Sequence, residues 1–153
     1  MQEPLSILIL DPDSQTIEKV KEATQGCLSM IIPCSSPDAI FDTMLQQKPV
    51  EVIILELERP FDKAFDLLSD LKARVQAEVV FVSRFEDELL WIEAIQRGAY
   101  DYLCKPLDLS ELKRILLHAV EKHRPGRVMK RPPAQAAKIM DAKADFKEAS
   151  SRG

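Results

Sequence analysis

Two unbroken apolar runs, VIIL (52–55) and VVFV (79–82), constrain this chain more than any other feature. Both are short, rich in β-branched residues and without a polar position to turn toward water. A strand of that kind is buried on both faces, as in the middle of a parallel sheet covered by helices. Three further strand-like runs, SILIL (6–10), LSMII (28–32) and DYLC (101–104), join them, and segments of helical period separate the five.

The helical segments carry their own punctuation. The first, around 14–25, places Ile17, Val20 and Thr24 on one face and stops at Gly26. Ser36-Pro37 supplies an N-cap and a first-turn proline for the second, with Ile40, Phe41, Met44 and Leu45 as its stripe. The third, around 64–74, buries Phe65, Leu68 and Leu71; the fourth, around 86–97, carries Leu90, Trp91, Ala94 and Ile95 and ends at Gly98. Asp108 to Glu111 forms a capping box that opens a fifth helix reaching about His123, with Leu112, Ile115, Leu116, Ala119 and Val120 apolar. A regular (βα)5 alternation predicts an α/β fold: a doubly wound, five-stranded parallel sheet with right-handed crossovers.

Charge divides the chain. Residues 1–123 hold 13 Lys/Arg against 22 Asp/Glu, a balance of −9, whereas 124–153 hold 8 against 3, or +5. The expected organisation is one acidic domain over 1–123, unsuited to direct nucleic-acid binding, and a basic C-terminal tail over 124–153. Arg-Pro-Gly and Lys-Arg-Pro-Pro open that tail as a linker-like, flexible segment; 134–149 is alanine-rich and offers a short helix as the alternative. No apolar run approaches the ~20 residues of a membrane span, so no membrane partner is expected and the cytoplasm is the expected compartment. Cys27, Cys34 and Cys104 lack metal-ligand spacing and read as reduced, mostly buried thiols. His118 and His123, five apart on one helix, do not form an i, i+4 pair.

Chemistry-bearing residues gather at the strand carboxyl ends, where an open parallel sheet places its ligand crevice. Asp11 and Asp13 follow the first strand, Glu56 ends the third, Ser83 the fourth, and Lys105 stands before Pro106 after the fifth. The four glycines, at 26, 98, 126 and 153, include none after strand one or three. A phosphate-cradling loop needs clustered glycines, so nucleotide hydrolysis, hydride transfer and flavin binding are disfavoured. A G-x-S-x-G nucleophile elbow is also missing.

The motifs ILILDPD (7–13), VIILELERP (52–60), VVFVS (79–83) and GAYDYLCKP (98–106) stand in the order and spacing of a known family. Across residues 5–123 the chain resembles the receiver domain of two-component response regulators, a flavodoxin-like fold. The resemblance implies a phosphoacceptor after strand three, acids that hold Mg²⁺ after strand one, and a hydroxyl, an aromatic and a lysine that respond to the phosphoryl group. By motif, Glu56 falls on the acceptor, Asp11 on the first acid, Ser83 on the hydroxyl, Tyr102 on the aromatic and Lys105 on the lysine. The implied upstream partner is a histidine kinase.

Three positions depart from the family. Glu56 replaces the acceptor aspartate and carries its carboxylate ~1.5 Å farther out. Pro12 replaces the second acid and removes a hard oxygen ligand, so no cofactor is expected and any Mg²⁺ site, resting on Asp11, is weakened. Arg84 follows Ser83 where the family has a small residue, and is expected to cover the crevice and pair with Glu56 or Asp11. Together they predict a divergent, non-enzymatic signalling module that binds a protein partner or a second copy through its helix-four, strand-five, helix-five face. Glu88, Trp91 and Arg97 are candidate surface residues there.

Two readings of Glu56 stand side by side. Its carboxylate imitates an acyl phosphate, accepting hydrogen bonds from Ser83 and Lys105; or it forms a charge pair that only satisfies a buried site. Asp13 is either a metal ligand or the cap of helix one, with the cap favoured. Ser83 has a capping reading and Tyr102 a plain edge-strand one. The alternatives for the whole chain are a functional phosphoreceiver in a histidine-kinase phosphorelay and the N-terminal piece of a longer transcription regulator.

Overall fold

The computed structural model describes residues 5–46 and 50–123. Five strands and five helices alternate along them. The strands are β1 (Leu5–Leu10), β2 (Ser29–Pro33), β3 (Val52–Glu56), β4 (Glu78–Ser83) and β5 (Asp101–Cys104). The helices are α1 (Ser14–Ala23), α2 (Pro37–Gln46), α3 (Phe61–Arg74), α4 (Glu88–Gln96) and α5 (Leu109–His123). All pairings are parallel and the spatial order is β2-β1-β3-β4-β5, the doubly wound sheet that the alternation predicts. The expectations for the basic tail at 124–153 lie outside the described residues.

Each central strand feeds two cores because successive side chains point to opposite faces. Val52 and Ile54 of β3, with Val80 and Val82 of β4, pack beneath α1 and α5 against Val20, Leu112, Ile115 and Leu116. Ile53, Leu55, Val79 and Phe81 pack on the other face against Ile40, Phe65, Leu68, Leu71 and Leu90 of α2, α3 and α4. Full burial of one such side chain contributes ~1.5–3 kcal/mol, which is why neither face of the runs 52–55 and 79–82 carries a polar residue.

Caps fix where the helices begin. Asp13 Oδ1 accepts the Gln15 amide at 2.9 Å, Asp87 Oδ1 accepts the Leu89 amide at 2.9 Å, and Asp108 Oδ1 accepts the Glu111 amide at 2.9 Å. Ser36 caps α2 through the Ala39 amide at 3.2 Å. Gly26 and Gly98, both with positive φ, close the turns after α1 and α4.

Several local expectations are corrected. Leu45 is exposed rather than part of the α2 stripe, because Ile40, Phe41 and Met44 already cover the sheet. The strand-two run begins at Ser29, leaving Leu28 exposed. The three cysteines are free thiols, but Cys27 is exposed and Cys34 and Cys104 are only partly covered.

Candidate functional site

The sheet order reverses between β2-β1 and β3-β4-β5, so the crevice opens beyond the carboxyl ends of β1 and β3. Leu10 pairs with Leu55 in the register, so the next residues, Asp11 just past β1 and Glu56 at the end of β3, stand at neighbouring strand ends. From β5, two strands beyond β3, Lys105 reaches back over the end of β4 toward both. Its Nζ lies 2.9 Å from Asp11 Oδ2, 2.9 Å from Glu56 Oε2 and 3.4 Å from Asp13 Oδ2. Asp13 therefore caps α1 with one oxygen and faces the lysine with the other.

The two central carboxylates are not equivalent. Burial works to raise the Asp11 pKa, but it is outweighed by hydrogen bonds from Thr16 (Oγ1 to Oδ2, 2.6 Å), Lys105 and the Asp13 amide (2.9 Å). Asp11 is thus held below the usual carboxylate value. Glu56 has only Lys105 to oppose its burial, and the neighbouring Asp11 charge reinforces the upward push, so it sits above its usual value. For Lys105, burial disfavours the charge, while the hydrogen bonds to Asp11 and Glu56 and their negative charges prevail and raise its pKa. The result is an ammonium ion fixed among three acids, with Glu56 protonating before Asp11 as pH falls.

The three carboxylates converge on the ammonium, and Pro12 is exposed and offers no side-chain oxygen. Among the described residues, no group of three or more His, Cys, Asp or Glu is placed to hold a metal ion.

Ser83 and Tyr102 do not join the acids. Ser83 is fully buried; its hydroxyl donates to the Leu57 carbonyl at 3.0 Å and accepts the Phe85 amide at 3.1 Å. The expected hydrogen bond from Ser83 to Glu56 is corrected accordingly, while its capping reading holds. Tyr102, also buried, donates its hydroxyl to the Phe85 carbonyl. Strand parity explains the division. Asp11 follows Ile9, Glu56 follows Ile54 and Lys105 follows Leu103, all on the α1/α5 face, whereas Phe81, two before Ser83, and Tyr102 belong to the α2–α4 face.

Arg84 is corrected too. It is exposed and pairs with Glu58, not with Glu56 or Asp11, because it points outward where β4 ends. Arg97 leaves the expected docking face: it pairs with Glu93 at 2.9 Å and stacks over Phe65 of α3 at 4.9 Å. Glu88 and Trp91 stay on that face. With Glu86, Asp87 and Glu111, and with Tyr102 and Cys104 of β5, they line a groove of about 420 Å³ between α4, β5 and the start of α5.

Sequence reasoning missed Thr16 and Glu58. Thr16 carried a signal: it precedes Val20 by one helical turn on the buried side of α1, a polar residue where an apolar one is expected. Glu58 carried none, since nothing in the sequence pairs it with Arg84.

Comparison with known proteins agrees with this architecture. The family model for the response regulator receiver domain matches residues 7–117. The chain belongs to that family. An uncharacterized response regulatory protein of Vibrio cholerae is 30% identical over 122 residues, 78% of this chain and 50% of that protein. The two-component response regulator ARR2 of Arabidopsis thaliana is 24% identical over 121 residues, covering 78% of this chain but 18% of its own length. The receiver domain thus spans about half or less of these curated relatives. A solved response regulator from Thermotoga maritima shares the fold at a TM-score of 0.70 and 18% identity, over 77% of this chain and 98% of that one. The domain is a module of two-component signalling, and no described helix is long and apolar enough to cross a membrane.

Proposed function

We propose that this receiver domain signals in the cytoplasm by binding a protein, with no phosphoryl transfer to Glu56 and no Mg²⁺ requirement. The observation that carries the reading is the Lys105 ammonium held 2.9 Å from both Asp11 and Glu56. In that position it neutralises the acids that would otherwise recruit a cation, and it accompanies a negative charge already present on β3. Glu56 is a partial imitation of an acyl phosphate: it supplies one charge instead of nearly two, and it engages Lys105 but not Ser83. Binding, not catalysis, is the output, and the groove between α4, β5 and α5 is the surface that a partner or a second copy would use.

A Mg²⁺ titration with and without beryllofluoride tests the reading, followed by Trp91 fluorescence and by NMR shifts at Glu56, Ser83 and Lys105. Silence in a folded sample is the expected result. Saturable shifts at those three residues would overturn it in favour of a working phosphoreceiver fed by a histidine kinase. Glu56→Gln is expected to weaken partner binding or dimerisation by more than its effect on stability explains, and unchanged binding would sink the imitation.

A further inference from the structure

We infer that the groove between α4, β5 and α5 receives the chain's own basic segment around Lys130 and Arg131. The inference rests on the reading of that face as the working surface and names what covers it.

The charge of the groove is of one sign. Glu86, Asp87, Glu88 and Glu111 stand around it, and no Lys or Arg is among its lining residues. Asp87 is committed to capping α4, but its negative charge remains. Trp91 and Tyr102 add aromatic surface between these acids. An occupant that suits both features carries cationic groups next to apolar ones, so that charge meets the carboxylates while the apolar part covers the rings.

The sequence beyond α5 has that composition. From 124 to 138 it contains Arg124, Arg127, Lys130, Arg131 and Lys138 and no acid, and Val128-Met129 immediately precede Lys130-Arg131. Met and Val are suited to ring contact, and Lys and Arg to the surrounding carboxylates.

Reach selects the residues. Glu111 lies twelve residues before His123 on α5, ~18 Å along the helix axis. A chain turning back from His123 covers at most ~3.3–3.6 Å per residue. Arg127, four residues on, falls short; Lys130 and Arg131, seven and eight residues on, arrive. A tethered ligand of this kind acts at an effective concentration on the order of millimolar, so even weak ionic contacts populate the docked form. Docking covers Trp91, and a partner must displace the segment to reach it.

The test uses the full 153-residue chain. The indole signal of Trp91, the single tryptophan, and the amides of 86–91 are followed by NMR in the wild type and in Lys130→Glu/Arg131→Glu. These signals are expected to shift in the variant, and raising salt should move the wild type toward the variant positions. Glu86→Lys/Glu88→Lys should abolish the response to salt, and combining the two reversals should restore it. Groove signals that ignore Lys130→Glu/Arg131→Glu in a folded sample would overturn the inference. So would shifts that disappear on dilution, which would assign the groove to the tail of a second copy. If the groove responds while Glu56→Gln leaves partner binding unchanged, the tail inference stands and the Glu56 reading alone falls.

Discussion

Glu56 Oε2 and Lys105 Nζ stand 2.9 Å apart although they extend from strands that are not neighbours, β4 lying between β3 and β5. The lysine crosses the end of β4 and continues to Asp11 just past β1, so one side chain ties three strand ends together. Replacing it with a methionine of similar length removes the cation and leaves the acids facing one another. Lys105→Met is expected to cost ~2–4 kcal/mol at pH 7, since breaking a mostly buried pair strands its partner charges. The sign of the pH dependence follows. Without the lysine, Asp11 and Glu56 gain raised folded pKa values, so stability in the variant should recover as pH falls and these groups protonate. Urea unfolding at pH 7 and pH 5 measures both, and a variant equally destabilised at the two values would show that Lys105 acts by packing alone.

Asp101 gives a second pH dependence of independent origin. It is fully buried at the start of β5, and burial pushes its carboxyl up to about 7 despite the hydrogen bond from the Tyr102 amide to Oδ1 at 2.7 Å. The Trp91 side chain also works to lower it, without offsetting the burial. A folded pKa above the unfolded one means that the native state binds the proton more tightly. The stabilisation from the protonated form is therefore complete below the unfolded value near 4 and is lost as pH rises through about 7. Asp101→Asn should remove this component, worth a few kcal/mol (~3–4). Denaturation curves of the two proteins between pH 4 and 8 should converge at the acid end, with the wild type falling below the variant at the alkaline end.

Most of the fold was legible because the apolar period changes cleanly between strands and helices. VIIL and VVFV have no polar position, so no arrangement other than two-sided burial satisfies them. The site was half legible. Motif spacing placed Asp11, Glu56, Ser83 and Lys105 at strand ends, but treating them as one convergent set ignored the two-residue alternation already visible in the strands. Parity assigns Ser83 and Tyr102 to the far face of the sheet from Glu56, where Leu57 and Phe85 supply their partners. Arg84 was misjudged for another reason: a long exposed side chain is directed by whichever acid the loops bring near, here Glu58, and loop conformation is not encoded in periodicity.

The Arg84–Glu58 pair therefore predicts a negative result. Both side chains are well exposed, at 67% and 44%, and exposed pairs of this type contribute ~0–1 kcal/mol. Arg84→Ala should change stability by no more than that and leave the NMR signals of Glu56 and Lys105 in place. Crevice chemistry should instead respond to Glu56→Asp with Pro12→Asp, which shortens the acid facing Lys105 and adds an oxygen ligand beside Asp11. Acetyl phosphate labelling that appears in the double variant without Arg84→Ala would confirm that Arg84 is no lid; labelling that requires Arg84→Ala would restore it to that role.

Tyr102 connects β5 to the segment that leads into α4. Its hydroxyl donates to the Phe85 carbonyl, and Phe85 in turn gives its amide to Ser83 and packs edge-on against Phe61 at a centroid distance of 5.3 Å. Tyr102→Phe keeps the ring and its burial but leaves that carbonyl only the weak Cys104 thiol donor at 3.7 Å, a change worth ~1 kcal/mol in typical cases. Because Glu86, Asp87 and Glu88 follow directly and line the groove, the loss should be felt as increased hydrogen exchange across 85–90 more than as a drop in global stability. Exchange rates measured residue by residue decide the matter. Faster exchange confined to that stretch places Tyr102 as the residue that holds the α4 entrance in position, whereas uniform acceleration through β3 and β4 would mean that its hydroxyl supports the core as a whole.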